Sequence, residues 1–306
     1  MTHAVLRSFF VLLLLILPPI GRAASPFVWE EGERVVLLGN TWVERAQDSG
    51  HLEAALLLAA RDARIQVRNF GWSGDTVRAD SRGYFGGQKE GMERLSAQMA
   101  EWKPTIIFCG YGAVAARRGP LGRESFLRNY DSLLHVLRSQ ANPREIILIS
   151  PLPAETLPPP LPDQSLYHRE LLSYGDALQN FASTRGLRYL DLLQPLAAAR
   201  QRRSAPLTEN GIHYSSDGYR EIARAVVEGL GFQPPSISPD HHSRLRHLVI
   251  EKNRLFFHRW RPANETYLRG FRQHEQGQNA QELDLFDSLI QAKELEIEVL
   301  KQLAHS

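Results

Sequence analysis

The chain has 306 residues, with 36 basic side chains against 34 acidic ones and a formal net charge of +2. That balance excludes a globally basic nucleic-acid binder and a protein held on an anionic membrane by bulk charge. The single cysteine, Cys109, excludes an intramolecular disulfide, so stability has to come from packing.

Residues 1–24 have the pattern of an export signal: Arg7, an apolar run from Phe9 to Leu17, Pro18-Pro19, then the small residues Ala23 and Ala24. The run falls short of the roughly 20 residues a spanning helix needs. Cleavage is therefore expected, leaving an exported chain, periplasmic or extracellular, with no stable membrane span; an uncleaved anchor is the alternative. From residue 25 to 233 short β-rich runs alternate with helical patterns. The strands are expected at Arg34–Leu38, Ile65–Phe70, Thr105–Cys109, Glu145–Ser150 and Leu187–Leu192. Helices are expected near 42–60, 89–101, 123–139, 165–184 and 216–228. This alternation predicts a three-layer α/β/α sandwich around a five-stranded, mostly parallel sheet. The proline-rich stretch Pro151–Gln164 cannot be helical and reads as a rigid loop, either a substrate rim or an ordinary stiffened connection. Residues 234–306 change character and read as a helical C-terminal extension whose last helix is amphipathic, with Phe286, Ile290, Ile297, Leu300 and Ala304 at helical spacing.

In such sheets ligands bind at the carboxyl ends of the strands. Those ends carry Gly39-Asn40-Thr41, Gly71-Trp72-Ser73-Gly74-Asp75-Thr76 and Gly110-Tyr111-Gly112, while His213 lies in the loop before Ser216. A glycine turn after a strand also serves simple chain reversal, and a histidine there can simply cap the next helix. No CxxC, HExxH or Walker loop occurs, and no Gly-x-Gly-x-x-Gly follows the first strand. Neither a metal nor an organic cofactor is expected.

Taken in order, VVLLGNTWVER, NFGWSGDTV, IIFCGYGAVAA and TENGIHYSSDGY resemble the first, second, third and fifth blocks of the SGNH (GDSL-type) hydrolases. The Gly-Asn-Thr of the first block, together with the tail, resembles an exported subgroup of that family. Such sites need a hydroxyl nucleophile, a base and preset oxyanion donors. The resemblance implies Thr41 as nucleophile with its own amide in the oxyanion hole, Gly74 as second donor and His213 as base. Asn210 falls where an aspartate should orient the imidazole, and Gly112 and Tyr111 fall beside the oxyanion site. Thr41 in place of serine adds a crowding methyl group. Val114 stands where an asparagine should donate, a loss of about 100- to 1000-fold. The same Asp-to-Asn exchange costs about 10,000-fold in a serine-protease triad. Glu209, Asp217, Asp75 and Glu44 are the carboxylates that could substitute.

The expected function is an ester hydrolase acting on acyl or acetyl esters, small or carried on a glycan, with an altered catalytic set. The alternative is a catalytically inactive protein of the same fold that binds a ligand or serves in assembly. Arg259, Trp260, Arg261, Tyr267, Phe271 and Arg272 can stack on sugar or bind acidic groups, clamp the extension to the domain, or engage an exported protein partner.

Overall fold

The computed structural model describes residues 26–234 and 237–303; the export signal expected in residues 1–24 lies outside them. Five parallel strands stand in the order β2-β1-β3-β4-β5. They are β1 (Glu33–Gly39), β2 (Ile65–Gly71), β3 (Ile106–Gly110), β4 (Glu145–Ile149) and β5 (Arg188–Leu190). All five were legible in the sequence because a parallel sheet covered on both faces needs apolar side chains on both. Val35, Leu37, Ile106, Phe108 and Ile147 point into one core, and Val36, Leu38, Ile107, Cys109 and Leu148 into the other. Cys109 is fully buried and burial pushes its thiol up, as befits a packing residue.

The helices of the main layers are α1 (Thr41–Ser49), α2 (His51–Ala59), α3 (Gly87–Trp102), the single turn α4 (Ala113–Ala116), α5 (Arg123–Ala141), α6 (Ser165–Thr184), α7 (Leu193–Gln201) and α8 (Ser216–Gly229). The long helix expected over 42–60 is in fact two, because Gly50 adopts φ 66° and breaks the run. Helix α7 was not anticipated.

The glycines at the strand ends are places of close approach, not chain reversals. A Cβ on Gly71 would lie 2.2 Å from the Glu44 nitrogen, one on Gly110 2.3 Å from the Trp42 ring, and one on Gly39 2.5 Å from Val43. Without side chains there, the first turn of α1 sits directly on the top of the sheet. Trp42 Nε1 donates to the Gly110 carbonyl (3.1 Å), and Asn69 Nδ2 on β2 donates to the Val43 carbonyl (2.6 Å).

The extension comprises α9 (Pro239–Trp260), the short turns α10 (Glu265–Leu268) and α11 (Gln273–Gln276), and α12 (Leu285–Leu303). It closes over the β2 edge of the sheet and joins both cores. Leu245, Val249, Ile297 and Leu300 enter one, Phe256 and Ile290 the other. An edge strand exposes unpaired carbonyls, and here buried lysines reach that side. Lys252 Nζ donates to the Val67 carbonyl (2.8 Å), and Lys301 Nζ donates to the Ala63 carbonyl just before β2 (2.6 Å). Lys252 also pairs with Glu53 of α2 at 2.7 Å, with both side chains buried, and Asn253 Nδ2 donates to the other Glu53 oxygen (2.8 Å). Among the described residues no helix is long and apolar enough to cross a membrane.

Breaking one side of a buried ion pair costs about 3–5 kcal/mol, because the partner charge stays buried. Lys252→Met is therefore expected to lower urea-unfolding stability by about that amount, and Glu53→Leu/Lys252→Met to recover part of it. A Lys252→Met protein within about 1 kcal/mol of the parent would mean that the extension does not rely on this pair.

Candidate active site

Strand β1 lies between β2 and β3, so the chain leaves it toward β2 and later crosses to its other side. That is the switch point at which a doubly wound sheet opens a crevice at its carboxyl edge. Thr41 is the first residue of α1, immediately above this point. Asn40 caps the helix, its side chain accepting from the Trp42 amide (3.4 Å) and its carbonyl from Glu44 N (3.1 Å). The amide of Gly74, at φ 75°, donates to Thr41 Oγ1 at 3.1 Å. The second-block loop is thus brought onto the threonine hydroxyl.

Beneath that loop lies a fully buried ion pair, Asp75 with Arg82 at 2.7 Å. Arg82 Nη2 donates to the Phe70 carbonyl (2.7 Å). Tyr111 donates its phenol hydrogen to the same Asp75 oxygen at 3.1 Å. This corrects the expectation for Tyr111: its hydroxyl is spent inside the core, its pKa is pushed up by burial, and it offers nothing to the cleft. Gly112, at φ 128°, turns the chain into α4, and a Cβ there would meet Pro151 at 2.8 Å. Ala113 and Val114 then line the cleft, so an apolar side chain stands at the position where the resemblance asks for an amide donor.

A cleft of about 210 Å³ contains Thr41 and His213 together, walled by Val114, Leu152, Leu171 and Ile212. Arg45 and Arg117 flank it, the latter stacked 3.5 Å over the Tyr167 ring. Asn40 lines it too, and its buried Nδ2 has no partner. Asn40 thus adds a side-chain amide to the cleft wall.

His213 is held by Asn210 in a specific way. Asn210 Oδ1 accepts from the His213 amide (2.9 Å) and the Ile212 amide (3.3 Å), which turns Nδ2 toward the imidazole, 3.0 Å from His213 Nδ1. An amide NH₂ only donates, so Nδ1 must accept and the neutral ring carries its hydrogen on Nε2. Burial, then the nearby Arg45, lowers the His213 pKa and keeps the ring neutral. None of the four carboxylates considered from sequence is hydrogen-bonded to it. Glu209 pairs with Arg45, Asp217 with Arg203 and Arg220, Asp75 with Arg82, and Glu44 with Arg261 and Ser73.

A carboxylate that the sequence did not single out organises the histidine loop from the proline-rich stretch. Glu155 accepts from the Leu207 amide (3.1 Å), the Thr208 amide (2.7 Å) and the Thr208 hydroxyl, and pairs with Arg200 at 3.0 Å. Its own amide donates to the Gly211 carbonyl (2.8 Å), and Tyr214 donates to the Pro153 carbonyl (2.7 Å). The stretch is both wall and clamp. Only an acid set among prolines hinted at this. Among the described residues no three His, Cys, Asp or Glu side chains gather as a metal site.

Residues 39–221 match the model of the GDSL-like lipase/acylhydrolase family. No curated protein sequence matches the chain. Among solved structures, a catalytic mutant of an acetylxylan esterase from Geobacillus stearothermophilus is similar at TM-score 0.52 and 19% identity, over 68% of this chain and 98% of that one. A gut microbial enzyme described as diltiazem-metabolizing is similar at TM-score 0.61 and 13% identity, over 92% of this chain and 96% of that one. The second likeness spans more than the α/β layers can supply, so it includes the C-terminal helices.

Hydrogen bonds to a charged acceptor are worth about 1.5–3 kcal/mol. Glu155→Gln is expected to lower thermal stability by that order and to loosen the His213 loop. Glu209→Gln, whose pair with Arg45 is half exposed, should stay within about 1 kcal/mol. Equal thermal midpoints for the two variants would remove Glu155 as the clamp.

Proposed function

The chain belongs to the GDSL-like lipase/acylhydrolase family, and on that premise we propose that it hydrolyses short acyl esters through Thr41 and His213, at a rate held down by Asn210. The observation that carries this is the Gly74 amide on the Thr41 hydroxyl, in a cleft that His213 shares. In the reaction, His213 Nε2 takes the hydroxyl proton while Thr41 Oγ1 bonds to the ester carbonyl carbon. The oxyanion that forms is one bond from that carbon, within reach of the amides of Gly74 and Thr41. Collapse expels the alcohol with the proton from His213, and water then releases the acid from the acyl-threonine.

The rate is limited by the tautomer. To act as base, His213 must carry its hydrogen on Nδ1, which faces the donor hydrogens of Asn210. The penalty for such a mismatch is about 10⁴-fold in a serine-protease triad. The cleft volume of about 210 Å³ falls below the roughly 300 Å³ at which pockets enclose drug-sized ligands, which favours an acetyl or similarly short acyl group. We extend the proposal to acyl groups carried on glycans, the substrate class named for one similarly folded esterase. The export pattern of residues 1–24 supports action outside the cytoplasm, and sequencing the mature N-terminus is expected to find it near Ser25; an intact Met1 would refute export by cleavage. A protein partner would meet the outward face of the extension, since Trp260 and Arg261 are turned inward onto Trp72.

The second reading, a binding protein that retains the cleft, is favoured by the Nε2–H tautomer, which presents a donor to a bound ligand. Hydrolysis of p-nitrophenyl acetate separates the two. For a hydrolase, Thr41→Ala and His213→Ala abolish turnover, and Asn210→Asp raises it by at least tenfold and up to about 10⁴-fold. Its lowered pKa keeps His213 in the base form below pH 6.5, so the acid limb of the parent lies below that pH and moves upward in Asn210→Asp, whose carboxylate stabilises the imidazolium. Wild-type turnover no faster than Thr41→Ala, with no gain from Asn210→Asp, would establish the binding protein.

A further inference from the structure

Two arginines, Arg45 and Arg117, line the Thr41 cleft, and no acidic side chain does. Arg45 is paired with Glu209 at 2.9 Å. Even so, after burial, the Arg45 charge lowers the His213 pKa by more than Glu209 raises it. Arg117, which ends the single turn α4, forms no ion pair with any described residue. The cleft is therefore electropositive, and the apolar side chains of Val114, Leu152, Leu171 and Ile212 opposite offer these charges no acceptor. Walls of low dielectric focus such a field into the cleft.

Arg117 is nevertheless held in place. Its guanidinium lies 3.5 Å over the ring of Tyr167, which also lines the cleft. Tyr167 in turn donates its hydroxyl hydrogen to the Ala113 carbonyl at 2.8 Å, and Tyr174 holds the same turn by donating to the Gly119 carbonyl at 2.9 Å. Stacking uses the face of a guanidinium and leaves its in-plane N–H donors for an acceptor. A side chain ordered beforehand also loses less freedom when a ligand binds. One unpaired guanidinium matches one negative charge, and its planar fork fits a carboxylate.

We propose that Arg117 is a specificity-determining residue that binds a carboxylate on the ester entering the Thr41 cleft. Turnover of that ester rests on the hydrolase reading above, whereas its binding does not.

Two matched pairs of esters separate charge from shape. 4-Acetoxybenzoate and 4-acetoxybenzamide differ on the alcohol side, monoethyl succinate and ethyl succinamate on the acyl side, and each rate is divided by that ester's own alkaline rate. In at least one pair the carboxylate is expected to be favoured about tenfold in kcat/KM, the equivalent of 1.4 kcal/mol, and that pair locates the charge. Arg117→Gln should bring the ratio close to one, and Arg117→Lys should restore part of it. Arg118→Gln removes the same charge from a side chain that does not line the cleft, and it should keep the ratio. Ratios near one in both pairs of the parent protein would overturn the proposal, as would an equal loss in Arg118→Gln and Arg117→Gln.

Calorimetry on Thr41→Ala reads the binding without turnover. The carboxylate of the preferred pair should bind more tightly than its neutral mate and lose that advantage in Thr41→Ala/Arg117→Gln. Absent turnover with the binding advantage intact would sink the hydrolase reading alone. Equal binding within both pairs, or none of any ester up to millimolar concentration, would sink the role of Arg117.

Discussion

The site depends on one steric fact: the first turn of α1 rests on strand ends that carry no side chains. Gly39, Gly71 and Gly110 each face an atom of α1 at a distance a Cβ could not tolerate. Because the backbone can approach so closely, Trp42 reaches the Gly110 carbonyl, Asn69 reaches the Val43 carbonyl, and Thr41 stands above the switch point. The Gly74 amide then meets the Thr41 hydroxyl at 3.1 Å. Electrostatic catalysis needs donors that are in place before charge develops, and here steric contact supplies that order.

The histidine reaches the same cleft by a different route. Its loop is held by the carboxylate of Glu155 and by the Asn210 carbonyl oxygen, which takes up two backbone amides. That second arrangement also dictates the chemistry. An aspartate in the same pose would present a second acceptor to Nδ1, whereas the asparagine presents hydrogens. A single atom type thus separates a fast general base from a slow one or from a ligand donor, while the loop geometry stays the same. The fold can carry either outcome on one scaffold.

The extension joins both cores and is an integral part of the molecule. Its lysines meet backbone carbonyls at and just before the β2 edge, and its aromatic residues back the loop that carries Gly74. Arg261 links it to Glu44 in α1, and Glu44 in turn accepts from Ser73 beside Gly74. Changes in the extension can therefore be felt at the Gly74 loop through contiguous contacts. The same packing joins segments more than 150 residues apart, as with Arg259 and Glu101.

By itself the sequence determined the layer order, all five strands, the family blocks, Thr41 and Gly74 after strand ends and Asn210 and His213 in the loop before α8, because these follow from local periodicity and from motifs read within a few residues. It also placed Val114 at the missing donor position. What it left open were relations between segments far apart in the chain. The burial of Tyr111 against Asp75, the pairing of every candidate carboxylate with an arginine, the grip of Glu155 on the histidine loop and the buried Lys252–Glu53 pair across 199 positions were decided only by tertiary structure. The physical reason is that a charge or a hydrogen-bonding group shows its residue type in the sequence but not its partner. Partner choice is settled when packing brings distant groups within about 3 Å and removes the water that would otherwise have served them.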